Sequence, residues 1–263
     1  MIRVAINGAA GRMGRRLLAL GCEDSEIEIV CAAENSGNSQ IGKDADQLSG
    51  SAGLNLEIVS GIQNDPQVVI DFSTPEGADS AIKFCEEHRT SLVMASTGLE
   101  ESTIAKLKSV SESIPICWAP SMSLAVNLTM NLVRTAAKAL SQHSSGVDVE
   151  IIETHHRYKA DAPSGTALKF GEIVADEMKQ TNHQHGREGA VGARPQDEIG
   201  YHAIRSGDDP GQHTIQFGML GERIALTVAA SNRDCYALGA LQAAKFLEGK
   251  SPGLYTMNDV LGL

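Results

Sequence analysis

The stretch that most restricts how this chain can fold is Ile2-Arg3-Val4-Ala5-Ile6-Asn7 running directly into Gly8-Ala9-Ala10-Gly11-Arg12-Met13-Gly14. A short apolar strand, a glycine turn and a helix over Arg15–Leu20 follow one another with no spacer. The spacing Gly-x-x-Gly-x-x-Gly is a variant of the dinucleotide fingerprint, in which glycines permit the tight turn and let the backbone approach a pyrophosphate resting on the helix N-terminus. Arg12 adds a charge contact to phosphate.

The fingerprint alone is weak, and its surroundings strengthen it. A second strand, Glu26 to Ala33, ends at Glu34, where an acidic residue grips the ribose hydroxyls of NAD. Glu34 is followed by Asn35 and not by a cation, which favours NADH over NADPH, with Lys43 and Arg12 as the cations able to reach a 2′-phosphate. Asn35 to Gly53 reads as loop with room for a short helix, and Leu56 to Ser60 as a weak strand. Gln67 to Ser73 reads as a buried parallel strand feeding a helix from Pro75 to His88, which puts Ser73 at the strand end where cofactors bind. The unit repeats as strand Ser91–Ala95, turn Ser96-Thr97-Gly98, helix Ser102–Ser111, strand Ile114–Trp118 and turn Ala119-Pro120-Ser121-Met122. Taken singly, each turn is equally an ordinary strand–helix connection; several on one sheet edge favour a site.

Beyond an amphipathic helix over Ser123–Ala139 the pattern changes. A β-branched strand from Val147 to Thr154 runs into His155-His156-Arg157-Tyr158-Lys159-Ala160-Asp161-Ala162-Pro163-Ser164-Gly165-Thr166, and a helix starts at the last of these and runs to Lys179. Two histidines, an arginine and a lysine lie between a strand end and a helix start whose free N–H groups favour an anion. This describes a cationic, proton-donating pocket for a small anionic substrate, with Ser164, Gly165 and Thr166 at the helix opening. On spacing alone it equally describes a solvated basic loop. Thr181 to Asp197 lacks an apolar period and reads as a mobile surface loop able to act as a lid. Ile199–Arg205, His213–Leu220 and Arg223–Ala230 read as an antiparallel meander, and Cys235–Leu247 as a helix returning to the first domain. The expected architecture is α/β: a Rossmann-type doubly wound parallel sheet, residues 1–123 and 233–263, with an inserted α+β domain of mixed or antiparallel sheet, residues 124–232.

A net charge of −11 over 263 residues argues against nucleic-acid binding and makes the cationic run more pointed. No apolar run approaches the roughly 20 residues that span a bilayer. The chain enters a strand at Ile2 without the features of a signal peptide, so a soluble cytoplasmic protein is expected. Cys22, Cys31, Cys85, Cys117 and Cys235 are odd in number and far apart, as reduced core cysteines are. His155, His156, His183, His185, His202 and His213 show no ligand spacing, and no metal is expected.

The glycine turn, Glu34 and the segment His-His-Arg-x-Lys-x-Asp-x-Pro-Ser-Gly-Thr together resemble the 4-hydroxy-tetrahydrodipicolinate reductase (dihydrodipicolinate reductase) family over the full length. The resemblance implies NAD(P)H-dependent reduction of a cyclic, doubly carboxylated imine to tetrahydrodipicolinate in diaminopimelate and lysine synthesis. It implies that His155 is the acid–base residue, Lys159 the proton donor, and His156, Gly165 and Thr166 contacts for the substrate carboxylates. On the cofactor side it implies the Gly8–Met13 turn (Gly8, Ala9, Ala10, Gly11, Arg12, Met13), Glu34, Ala95 to Gly98 (Ala95, Ser96, Thr97, Gly98), Ala119 to Met122 (Ala119, Pro120, Ser121, Met122), Arg233 and Tyr236. A homotetramer assembled through the second domain's sheets is implied as well. The chain departs from the family with Ala95-Ser96-Thr97-Gly98 where Gly-Thr-Thr-Gly is frequent, and with Ser121 in place of asparagine. Two other functions fit the cofactor half: another two-domain dehydrogenase of a small amino or keto acid, and an NAD-binding redox sensor without turnover.

Overall fold

The structure, a computed structural model, describes all 263 residues, Met1–Leu263. They form two compact units, Met1–Leu124 with Arg233–Leu263, and Ala125–Asn232.

The first unit starts with β1 (Ile2–Asn7), α1 (Arg12–Glu23) and β2 (Ile27–Glu34), then α2 (Ala45–Ser49) and β3 (Ile58–Ser60). It continues through β4 (Val68–Asp71), α3 (Pro75–His88), β5 (Ser91–Met94), α4 (Glu101–Val110) and β6 (Pro115–Trp118). All four β4 residues are buried, as expected of a strand covered on both faces. Thr74 caps α3 by accepting a hydrogen bond from the Gly77 N–H, and Pro75 occupies the first turn, where its missing N–H costs nothing. Gly14, early in α1, seats the helix on the glycine turn: a Cβ there would lie 2.1 Å from the Gly8 carbonyl oxygen and 2.6 Å from Ala9 Cα.

The second unit holds α5 (Leu124–Leu140, whose first residue belongs to the first unit), β7 (Asp148–His155), α6 (Gly165–Met178), β8 (Asn182–His185), β9 (Glu198–Arg205), β10 (Gln212–Met219) and β11 (Glu222–Ala229). Alternate β7 residues are buried, so Val149 and Ile151 enter the core with Phe170, Ile173 and Val174 of α6, and the same inward row ends on Glu153 and His155. Gly171 brings α6 onto the sheet, since a Cβ there would fall 1.7 Å from the Tyr201 hydroxyl.

The sheet order is β11-β10-β7-β9-β8. This corrects the expected meander. β10 and β11 form an antiparallel hairpin, but β9 pairs parallel to β7 on its other side, and β8 pairs parallel to β9. Because β7 lies between β9 and β10, the turn Gly207–Gly211 must cross the end of β7. There Ser206 N–H donates to the His155 carbonyl at 3.0 Å, His156 N–H to Asp209 at 2.8 Å and Arg157 N–H to Gly207 at 3.1 Å. The stretch Thr181–Asp197 is also corrected: it contains β8, and it is pinned by ion pairs. Arg187 bonds Glu150 at 2.6 Å and also Glu198, while Arg194 reaches Asp148 at 2.8 Å and Glu150 at 3.0 Å.

The chain re-enters the first unit with α7 (Asp234–Leu247), β12 (Gly253–Tyr255) and α8 (Met257–Leu261). Its seven strands lie in the order β12-β6-β5-β4-β1-β2-β3, all parallel. Leu17, Leu18, Ala240, Ala244 and Met257 pack on one face and Ala81, Ile82, Cys85 and Leu107 on the other, which makes the sheet doubly wound. Strand order reverses between β1 and β4, and ligands of such sheets bind at that crevice, outside the carboxyl ends of the strands. No helix is long and apolar enough to cross a membrane.

Candidate active site

In the first unit, the reversal point carries a cleft of about 940 Å³ lined by Gly8, Ala10, Gly11, Glu34 and Ser73, with Asn35 to Asn38 opposite. Gly8 has φ +82°, and a Cβ would stand 2.5 Å from the Phe72 carbonyl oxygen. Gly11 caps α1 without a side-chain hydrogen bond, leaving that helix start free for an anion. Glu34 reaches the same turn: one carboxylate oxygen accepts from Ala10 N–H at 3.0 Å, the other from Asn35 N–H at 3.0 Å. A bare helix start beside a glycine cradle, with a carboxylate at the end of the next strand, is the arrangement that suits a dinucleotide, whose pyrophosphate needs an anion receptor and whose ribose needs a hydroxyl acceptor.

A second hollow of about 280 Å³ is lined by Arg12, Met13, Ala95, Thr97, Pro120, Ser121, Met122, Arg233 and Tyr236, with Phe72 shared by both. Nine of the expected cofactor residues therefore converge here from four chain segments.

Ala9, Ser96, Gly98 and Ala119 line neither space. Ala9 and Ala119 are core residues, and Gly98 is exposed. Ser96 works inward, donating to Asp71 at 2.5 Å and accepting from Ser73 N–H at 2.9 Å. Asp71 is fully buried and also accepts from Asn7 and from the Ser73 hydroxyl, both at 2.6 Å. Burial pushes its carboxyl above the usual range, against these hydrogen bonds. The buried knot ties the ends of β1 and β4 to the turn after β5. Phe72, Asn7 and Asp71 carry no motif; their signal was only their place at two strand ends.

In the second unit, Glu153 and His155 lie at the end of the buried row of β7. His155 Nδ1 is 2.5 Å from Glu153 Oε2. The same carboxylate accepts from Ser164 N–H at 3.1 Å and from both Arg205 Nη atoms, at 2.9 and 2.8 Å. Burial raises the Glu153 pKa, but the Arg205 and His155 hydrogen bonds outweigh it and hold the carboxylate below its ordinary range. Lys159 pairs with Asp161 at 2.8 Å. His156 Nδ1 is buried without a hydrogen-bond partner in the chain.

Ser164 is committed to structure: its Oγ caps α6 through Ala167 N–H at 3.2 Å and meets His213 Nε2 at 2.9 Å. Gly165 is the opposite case. An added Cβ would meet no atom within 4 Å, so no packing demand of the protein explains the glycine. It and Thr166 open α6, where N–H groups are available to an anion. Glu153, Arg205, Gly211 and His213 escaped the sequence reading because they reach the site from a strand interior and from elements some 50 residues distant. The six histidines do not form one cluster: His155 and His213 meet edge to face at 5.2 Å, whereas His183 and His185 stack on Tyr201, and His202 bonds Glu150 at 2.7 Å.

His213 supplies a pH test. Burial first, then the neighbouring His155 charge, pushes its pKa down to about 4 from 6.5, against the pull of Glu153. Between these values the unfolded chain binds a proton that the folded chain refuses, so stability falls as pH falls, by about 3 kcal/mol across the window. His213→Gln should flatten this dependence. Denaturant midpoints at both ends of the window measure it, and an unchanged slope in the variant would assign the acid lability to other groups.

Two family models match the chain, the N-terminus of dihydrodipicolinate reductase over residues 2–122 and its C-terminus over residues 125–261. A 4-hydroxy-tetrahydrodipicolinate reductase of Rhodopirellula baltica is 53% identical, covering 100% of this chain and 96% of that one. The protein of that name from Alkalilimnicola ehrlichii is 43% identical, covering 99% of each. Among solved structures, a dipicolinate-bound dihydrodipicolinate reductase from a Paenisporosarcina species superposes with a TM-score of 0.76 at 26% identity over 97% of both chains. An amine dehydrogenase of Mycobacterium smegmatis, at 12% identity and a TM-score of 0.58, shares the fold alone. Fold therefore cannot separate these activities. Full-length identity, with a model matched on each half and the His155–Thr166 segment set at a helix start, can: the chain belongs to the dihydrodipicolinate reductase family.

Proposed function

We infer that this chain is an NAD(P)H-dependent oxidoreductase that reduces 4-hydroxy-tetrahydrodipicolinate, through its dehydrated form, to tetrahydrodipicolinate in the diaminopimelate and lysine route. The observation that carries this reading is full-length kinship to reductases of that name. A doubly carboxylated ring needs anion receptors and a proton source, and the start of α6 next to a histidine and a lysine offers both.

In this reading the first unit binds the nucleotide and the second binds substrate. A reduced nicotinamide nucleotide, when bound, supplies the hydride. The work of the chain is then to orient the ring and deliver a proton. His155 is the acid–base group, Lys159 offsets developing negative charge and donates, and His156, Gly165 and Thr166 hold the carboxylates. Ser164 contributes indirectly, by fixing where α6 begins. Glu34, with no cation following it, favours NADH. The five free cysteines suit a reducing cytoplasm. The outer face of the five-stranded sheet, where Ile204 is 46% exposed, suits a tetramer contact.

The test is a coupled assay in which the product of the preceding synthase is offered with NADH and with NADPH, and cofactor oxidation is followed. Substrate-dependent oxidation, faster with NADH, is expected. Binding of the nucleotide without oxidation would favour a redox sensor, and turnover only with another amino or keto acid would favour a different dehydrogenase. A second measurement addresses the receptor. Gly165→Ala should fold normally, since its Cβ meets nothing, yet raise KM for substrate by about tenfold or more, because the methyl occupies the ligand's approach. An unchanged KM would remove Gly165 from the receptor.

A further inference from the structure

We propose that Glu153 is a positioning residue for this reduction: it holds His155 as the Nδ1–H tautomer, so that Nε2 is the atom that exchanges the proton, and it ties that ring to the first residue of the α6 receptor. The proposal rests on the reductase reading and deepens it.

The geometry is specific. Glu153 is 1% exposed, and all its interactions point at the site. Its Oε2 sits 2.5 Å from His155 Nδ1 and 2.9 Å from Arg205 Nη1; its Oε1 takes Ser164 N–H at 3.1 Å and Arg205 Nη2 at 2.8 Å. A carboxylate can only accept, so Nδ1 must be the protonated nitrogen. The other nitrogen, Nε2, lies beside Gly211, where a Cβ would come within 2.9 Å of it. Gly211 has φ +141°, a conformation other residues rarely adopt, so the turn keeps a side chain away from Nε2. One nitrogen of the ring is thus fixed by a carboxylate, and no side chain of the turn covers the other.

Each neighbouring element adds a group to this balance. β9 supplies Arg205, β10 supplies His213 with its ring 5.2 Å from that of His155, the loop after β7 supplies Lys159 paired to Asp161, and the turn after β9 supplies Asp209. Arg205 cancels much of the charge of Glu153, which therefore orients the imidazole without making the site anionic to a doubly negative substrate. Arg205 also donates to the Asp161 carbonyl at 2.7 Å, fastening the loop that carries Lys159. A single buried carboxylate so links the proton-transferring ring with the start of the carboxylate receptor, and its arginine links it to the lysine loop.

Two substitutions acting in opposite directions test this. In Glu153→Gln the unbalanced Arg205 charge disfavours protonated His155, and the alkaline limb of the kcat profile should move to lower pH by about one unit, with kcat lowered about 10–10²-fold. In Arg205→Met the unbalanced carboxylate favours protonation, and that limb should move to higher pH. A merely structural role would lower both activities without opposed shifts. Wild-type enzyme is assayed alongside: failure of wild type to oxidise NADH with substrate would defeat the reductase reading, whereas wild-type turnover with unmoved limbs in both variants would defeat the role of Glu153. Should either variant not fold, the imidazole ¹⁵N spectrum of the wild-type protein decides, with the His155 signal identified through His155→Asn. The Nδ1–H tautomer is expected above the titration, and the Nε2–H tautomer would overturn the proposal.

Discussion

Replacing His155 by alanine should lower kcat by roughly 10²–10⁴-fold, the usual contribution of a positioned general acid. KM for substrate should change little by comparison, because the carboxylates are assigned to His156 and the start of α6. The size of the loss reflects how much of the second unit is arranged around this ring: one nitrogen is bonded to Glu153, and the other lies where Gly211 presents no side chain. Water can supply a proton in the variant, but without orientation. Steady-state kinetics at several pH values give the answer, and a rate within a few-fold of wild type would mean that the proton comes from elsewhere, with Lys159 the next group to remove.

The second large effect is expected from Gly8→Ala. At φ +82° any side chain is strained, at a cost of about 1–2 kcal/mol. The added Cβ would also stand 2.5 Å from the Phe72 carbonyl oxygen and 2.9 Å from its carbon, both backbone atoms of the segment after β4. Backbone cannot rotate away as a side chain can, so the turn must separate from Phe72, which borders both the cleft and the adjoining hollow. Nucleotide affinity should fall by about tenfold or more, equivalent to at least about 1.4 kcal/mol, and the melting temperature should drop. Gly50→Ala is the control, because Gly50 also has a positive φ, +73°, but its Cβ would meet nothing within 4 Å. Titration of the cofactor by fluorescence distinguishes them. Equal affinities for wild type and the Gly8 variant would show that the turn is not a nucleotide cradle.

Much of the fold was legible because it is written in local periodicity. The buried run at β4, the start of α3 with Thr74 as cap and Pro75 in the first turn, and the glycine turn after β1 each state their structure within a few residues. β12 and α8 were missed, being only 3 and 5 residues long. The meander was misjudged because a turn signal marks where a chain bends and not which strand it comes to rest beside. Gly207–Gly211 looks like a hairpin turn, yet β7 lies between the strands it joins.

The site divides the same way. Charge and helix-start chemistry around His155, Lys159 and Gly165 are contiguous in the chain, so sequence alone determined the family, the α/β class and the segment with chemistry in it. Only the tertiary structure decided which nitrogen of His155 is anchored, that Ser164 and Ser96 turn inward, and that Glu153, Arg205, Gly211 and His213 surround the ring. The physical reason is that periodicity and capping act over one or two turns of chain, whereas desolvation and hydrogen bonding act between whatever groups packing brings within about 3 Å, however far apart they lie in sequence.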